Sequence, residues 1–130
     1  MREITSTIDG RGRISIPSSL KVVVEQPLLI MDSRGCLRLC SALYWQGKVQ
    51  NIIKDSKGRE RRRIKRRLYS RAFDVKIDVQ GRVLIPLLLR DGFSSGKKAV
   101  FLRKNNFWEI WEKEALKNYQ REREKKERKR

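Results

Sequence analysis

Apolar and polar residues alternate outward from two short polar segments, Asp9-Gly10-Arg11-Gly12-Arg13 and Asp78-Val79-Gln80-Gly81-Arg82. Ile8 and Ile14 flank the first and Ile77 and Val83 the second, a period of two that predicts a β-hairpin around each. Further strands are expected at Leu28–Asp32, Cys36–Cys40, Ala99–Leu102 and Phe107–Trp111. The pattern changes to a helical one from Ala42 to Ile53 and from about Glu112 onward. Between them Ile64, Leu68 and Ala72 recur every fourth residue, on one side of a helix whose other positions include Arg61, Arg62, Lys65 and Arg66.

These elements repeat. Residues 6–17, ending Ile8-Asp9-Gly10-Arg11-Gly12-Arg13-Ile14-Ser15-Ile16-Pro17, align without gaps on residues 75–86 at an offset of 69, with six of twelve positions identical. Each half reads strand, tight turn, strand, one helical turn, strand, turn, strand, helix. A half of this size, about 65 residues, is marginal alone, so the two are expected to share one core with pseudo-twofold symmetry. Glycine holds the third loop position in both copies, Gly12 and Gly81, where a three-residue loop needs a left-handed residue. Asp9 and Arg13, like Asp78 and Arg82, then face each other across the loop. The aspartates are read as structuring the loop and the arginines as facing a ligand, since a guanidinium on a stiff loop loses little entropy on engaging phosphate or a guanine edge. Leu84 in place of Ser15 suggests unequal burial of the two copies.

Charge narrows the partner. The 130 residues carry 33 Lys and Arg against 15 Asp and Glu, a net charge of +18. Most of that excess lies in two stretches, Lys54–Arg71 and Lys117–Arg130, the second of which runs out of apolar anchors after Tyr119. Self-repulsion of this size makes a polyanion the natural partner. Histidine is absent, which excludes Ser-His-Asp and Cys-His catalysis, His-ligated zinc and an imidazole base. Cys36 and Cys40 are too few for a four-cysteine zinc site and read as buried small residues sharing one strand face. Trp45, Trp108 and Trp111 read as packing residues. Neither an enzyme nor a cofactor or metal site is expected. The acidic residue at position 3 and the lack of a long apolar run argue against a secretory signal or a membrane span, and for a cytoplasmic chain.

Two Asp-x-x-x-Arg segments, each running into Ile-Pro, resemble the AbrB-type swapped-hairpin DNA-binding fold, and two fused copies in one chain resemble the MraZ family of bacterial transcriptional regulators. Ser33-Arg34-Gly35-Cys36-Leu37-Arg38-Leu39 with Tyr44-Trp45, Arg66–Ala72 and Phe107–Trp111 are similar to that family's first half, central helix and last strand. Arg103-Lys104 stand where the family usually has a glycine, and the basic tail is not mapped onto a feature of the family. The resemblance implies a mainly β fold with short helices (α+β), a pseudo-twofold swapped-hairpin barrel of two repeats. The units expected are a first repeat over 1–55, a basic connecting helix over 56–73, a second repeat over 74–120 and a charged tail over 121–130. It further implies a homo-oligomeric ring, associated with the nucleoid, whose loops read short promoter repeats in double-stranded DNA upstream of the division and cell-wall genes. On this reading Arg11, Arg13, Gln80 and Arg82 meet DNA, Asp9, Gly12, Asp78 and Gly81 shape the loops, and Arg62, Arg63, Arg66 and Arg67 make accessory contacts to DNA or a neighbouring subunit. An AbrB-like antitoxin and an RNA-binding protein are the alternatives, since charge alone does not separate DNA from RNA.

Overall fold

A computed structural model describes residues 3–21 and 25–129; the start of the chain, residues 22–24 and the last residue of the basic tail lie outside them. Eight strands form: β1 (Ile4–Thr7), β2 (Arg13–Ser15), β3 (Pro27–Met31), β4 (Leu37–Ser41), β5 (Ala72–Asp74), β6 (Arg82–Leu84), β7 (Lys98–Arg103) and β8 (Trp108–Glu112). The helices are a one-turn α1 (Ser18–Lys21), α2 (Ala42–Ile53), α3 (Gly58–Ser70) and α4 (Lys113–Arg128), with a 3₁₀ turn at Leu87–Leu89.

Capping explains where the helices start. The Ser41 hydroxyl accepts from the Tyr44 backbone N–H at 3.1 Å, so α2 begins where the sequence pattern places it. Glu112 does the same for α4, its carboxylate accepting from the Glu114 N–H. Helix α4 continues through the charged segment to Arg128, although only Leu116 is buried in it. Helix α3 ends earlier than expected: the Arg71 N–H turns back to the Leu68 carbonyl, and Ala72 opens strand β5 instead of adding a third apolar residue to the helix face.

The sheet topology corrects two expectations. Six strands form one antiparallel sheet in the order β1-β7-β8-β4-β3-β5, and β2 and β6 form a separate two-stranded ribbon. Among the described residues the sheet has two free edges, β1 and β5, and does not close into a barrel. Nor do the strands flanking the first polar loop pair with each other. The loop itself closes, with Asp9 N–H to Arg13 carbonyl and Gly12 N–H to Asp9 carbonyl both at 3.0 Å. Beyond it β1 pairs with β7 and β2 with β6, so each flanking strand takes its ladder from the other half. Three- and four-residue strands have too little ladder to hold a free hairpin, and both gain longer-range partners and core cover by diverging. The second copy adds one bridge, Ile77 to Val83. Exchanging the two halves, so that β1 becomes β5, β2 becomes β6, β3 becomes β7 and β4 becomes β8, returns the same strand order read backwards.

Alternation along the strands sends side chains to two cores. Leu29, Leu37, Leu39, Ala99, Phe101 and Ile110 face the ribbon and pack with Ile14, Ile16, Val83 and Ile85. Their sequence neighbours face the helices. Leu28, Ile30 and Cys40 meet Trp45, Val49 and Ile53 of α2, with Ile64 and Leu68 of α3 alongside, while Cys36, Val100 and Trp111 meet Leu116 of α4. The molecule is thus layered as ribbon, sheet, helices. Cys36 and Cys40 share the helix-facing side in separate clusters; burial pushes their thiols up, to about 12 and about 11.

Candidate nucleic-acid interface

The two polar loops have nearly the same construction. In the first, Asp9 Oδ1 accepts the backbone N–H groups of Arg11 and Arg13, both at 2.9 Å, and Oδ2 accepts Arg13 Nε at 2.8 Å. In the second, Asp78 Oδ1 accepts from Gln80 and Arg82 at 2.9 Å, and Oδ2 accepts Arg82 Nε at 3.2 Å. The Arg13 N–H, with the Arg13 side chain and the Arg11 N–H behind it, holds the Asp9 carboxyl down at about 2 against an opposing loss of solvent. Asp78 is lowered for the same reason, the Arg82 N–H first. Gly12 and Gly81 take φ of +81° and +79°, the left-handed conformation that lets the chain close on three residues.

Pairing of β2 with β6 places the two loops at opposite ends of the ribbon. Arg13 stands opposite Leu84 and Ser15 opposite Arg82. Ile14 and Val83 point into the core, so Arg13, Ser15, Arg82 and Leu84 share the outward face. The two arginines are then diagonal neighbours across the ribbon, roughly 7–8 Å apart at their Cα atoms. Leu84 is exposed like Ser15, so the two copies are equally uncovered at this position, contrary to what the Ser-to-Leu difference suggests. Each arginine engages its aspartate through Nε, and among the described residues the terminal guanidinium nitrogens of Arg13 and Arg82 have no hydrogen-bond partner. Their side chains are 25% and 28% exposed, each held at Nε by its aspartate. Arg11 and Gln80 lie exposed at the two loop tips.

Formally the loop face is weakly charged, because Asp9 and Asp78 offset Arg13 and Arg82. What it presents is a fixed set of directed donors. Arg62, Arg63, Arg66 and Arg67 are not brought to it: they are exposed on α3, whose Ile64 and Leu68 pack on the other side of the sheet.

Two features escape the sequence pattern. Arg90, just past the 3₁₀ turn, donates through Nε to the Ile85 carbonyl at 2.7 Å and lies over Gly12, where an added Cβ would come within 2.8 Å of it. The second half therefore braces the first half's loop. On the helix-facing side, Asp32 accepts from Arg34 and Arg38, and Glu109 accepts from Arg34 at 2.6 Å and from the Trp111 indole at 3.0 Å. Burial alone would raise both carboxyls; the arginines, and for Glu109 the Trp111 N–H, outweigh it and hold both below the usual range. Arg38 also lies over the Phe107 ring at 4.9 Å.

Comparison with known proteins bears on this arrangement. The family described as "MraZ protein, putative antitoxin-like" matches residues 68–130. A protein of Legionella pneumophila (strain Corby) named "Transcriptional regulator MraZ" is 37% identical over 115 residues, covering 83% of this chain and 76% of that one. The chain belongs to the MraZ family. Proteins of the same name from Roseiflexus sp. (strain RS-1) and Lachnoclostridium phytofermentans are 33% and 32% identical, over 84% and 88% of the chain. Membership rests on both halves, since an alignment of that extent cannot be confined to either one. Among the described residues of this MraZ-family chain, no helix is long and apolar enough to cross a membrane.

Proposed function

We propose that this chain is a DNA-binding transcriptional regulator that reads double-stranded DNA with the outward face of the β2–β6 ribbon. The observation that carries the reading is the pair of pre-oriented guanidinium forks, Arg13 and Arg82, diagonal to each other on one ribbon face. A two-stranded β-ribbon is of a size the major groove admits, and an arginine fork matches the O6 and N7 acceptors of guanine. Because each Nε is already committed to an aspartate, only the two terminal nitrogens remain, and these are the bidentate pair such a contact uses. Arg11 and Gln80 stand exposed at the loop tips beyond the ribbon's two ends. The names of the relatives support a regulatory role.

The finer reading is that exchange of strands between the halves is the AbrB-type swapped hairpin, and that several chains form a ring on successive promoter repeats in the nucleoid. One small ribbon face binds weakly, and linked faces on linked repeats multiply affinity through effective concentration.

A mobility-shift titration tests this, using the protein's own upstream DNA and a scrambled duplex of equal length at low and near-physiological salt. Arg13→Ala or Arg82→Ala is expected to reduce the preference for the upstream fragment about 5- to 150-fold, the loss expected for one bidentate contact. Equal binding of both duplexes by the unaltered protein, or an unchanged preference in both variants, would refute the assignment.

A further inference from the structure

Helix α3 carries Arg59, Arg61, Arg62, Arg63, Lys65, Arg66 and Arg67 against one acid, Glu60. All seven cations are exposed, and none makes a salt bridge among the described residues. Ile64 and Leu68 fix which way the helix faces. At 100° per residue, Arg59, Arg62, Arg63 and Arg66 then form a stripe on the side of α3 opposite the apolar cluster that Ile64 and Leu68 enter. The stripe rises about 10 Å along the helix, the axial span of about three phosphates on one DNA strand. Six of the seven cations are arginines, whose planar forks suit phosphate better than an ammonium does.

The position of this stripe is the informative part. Leu29 faces the ribbon while Leu28 and Ile30 face α2 and α3, so the helix lies across the sheet from Arg13 and Arg82. With layers spaced about 10 Å, the axis of a helix in the outer layer lies across the sheet from the ribbon, about 20 Å from its backbone. A straight duplex seated on the ribbon does not reach it. The loop face has direction and little net charge; α3 has charge and no built donor geometry.

We infer that α3 is a second, sequence-independent phosphate-binding surface, which holds a stretch of duplex DNA backbone separate from the stretch the ribbon reads. This rests on DNA being the partner of the ribbon face.

The test compares the unaltered full chain, an Arg59→Gln/Arg62→Gln/Arg63→Gln/Arg66→Gln variant and an Arg13→Ala/Arg82→Ala variant. Affinity for the upstream and the scrambled duplex is measured over a salt series. The α3 variant is expected to weaken binding to both duplexes equally and to reduce the slope of log K against log salt by about 2 to 3, at about 0.9 per phosphate released. The loop variant is expected to lose the preference and to change the slope by less than about 1. All four substituted positions are exposed, so an unchanged or raised melting temperature checks the fold. An unchanged slope, a loss confined to the upstream duplex, or a loss on duplex RNA with DNA unaffected would each overturn the inference. Because the slope is read on scrambled DNA, it stands or falls even where the unaltered protein shows no preference.

Discussion

At the residue scale, conformations fixed by one side chain decide the shape of the loops. Gly12 is held on two counts, by its left-handed φ and by Arg90 lying where a Cβ would be. Gly12→Ala is expected to cost about 1–3 kcal/mol, read as a fall in denaturant midpoint at constant slope. The Gly12 signal was legible in the sequence, because both copies keep glycine at the third loop position; Arg90 was not, since its contact crosses from one half to the other. The Asp9 carboxyl offers a second check. Its folded pKa of about 2 lies below the ordinary 3.8, so its contribution is fully present above about pH 4 and is lost as the pH falls through 2. Carbon-detected NMR of that carboxyl should show the midpoint near 2, and Arg13→Gln should move it upward. Asp32→Asn probes the network behind the sheet. It leaves Arg34 and Arg38 short of their shared acceptor and should destabilise by about 2 kcal/mol, less than the 3–5 of a fully buried pair because both arginines are about one-third exposed. That network joins residues 75 positions apart, and no local pattern announces it.

Among the elements, α2 was legible to the residue because Ser41 caps it and its apolar period is unbroken. Strands β3, β4, β7 and β8 were legible within a residue or two from their alternation, whereas β5 was read as the end of the connecting helix, and the pairing of β1 with β7 and of β4 with β8 was not legible. Hydrophobic period says which side of a strand is buried and nothing about which other strand covers it. The nearest strand in sequence was the natural guess for β1 and β2, and it was wrong for both. Helix α3 was legible as a charged helix with one apolar line; its last turn was overextended because Ala72 fits a helix and a strand alike. Its arginines stand three or four apart, so like charges meet along the helix, a penalty on the order of 1–2 kcal/mol at low ionic strength. Added salt screens that repulsion. In DNA-free protein, the melting temperature should therefore rise between about 10 mM and 300 mM sodium chloride, and the α3 glutamine variant should show a smaller rise.

Across the whole molecule, the two halves share the core between ribbon and sheet. β1 takes its ladder from β7, β5 from β3, and β2 from β6, while β4 and β8 join the halves at the centre of the sheet. Fragments 1–56 and 57–130 should each lack a cooperative thermal transition alone and regain one when mixed in equal amounts. A transition in either fragment by itself would contradict the shared core. The repeat at an offset of 69 made this pseudo-symmetry visible in the sequence, whereas the open sheet and the layering of ribbon, sheet and helices became visible only with the strand pairing.

The exchange symmetry of the strand order is one of backbone, and it stops at the loop tips, where Arg11 stands on one side and Gln80 on the other. A dimer of two identical single-repeat chains would carry matched reading heads and would favour a palindromic operator. Fusion frees the two heads to diverge. On the proposed DNA-binding reading, a charged, forked donor at one end of the ribbon and a neutral amide at the other would favour unlike base pairs, so the preferred operator unit is expected to lack a dyad and to give the bound protein a direction along the DNA.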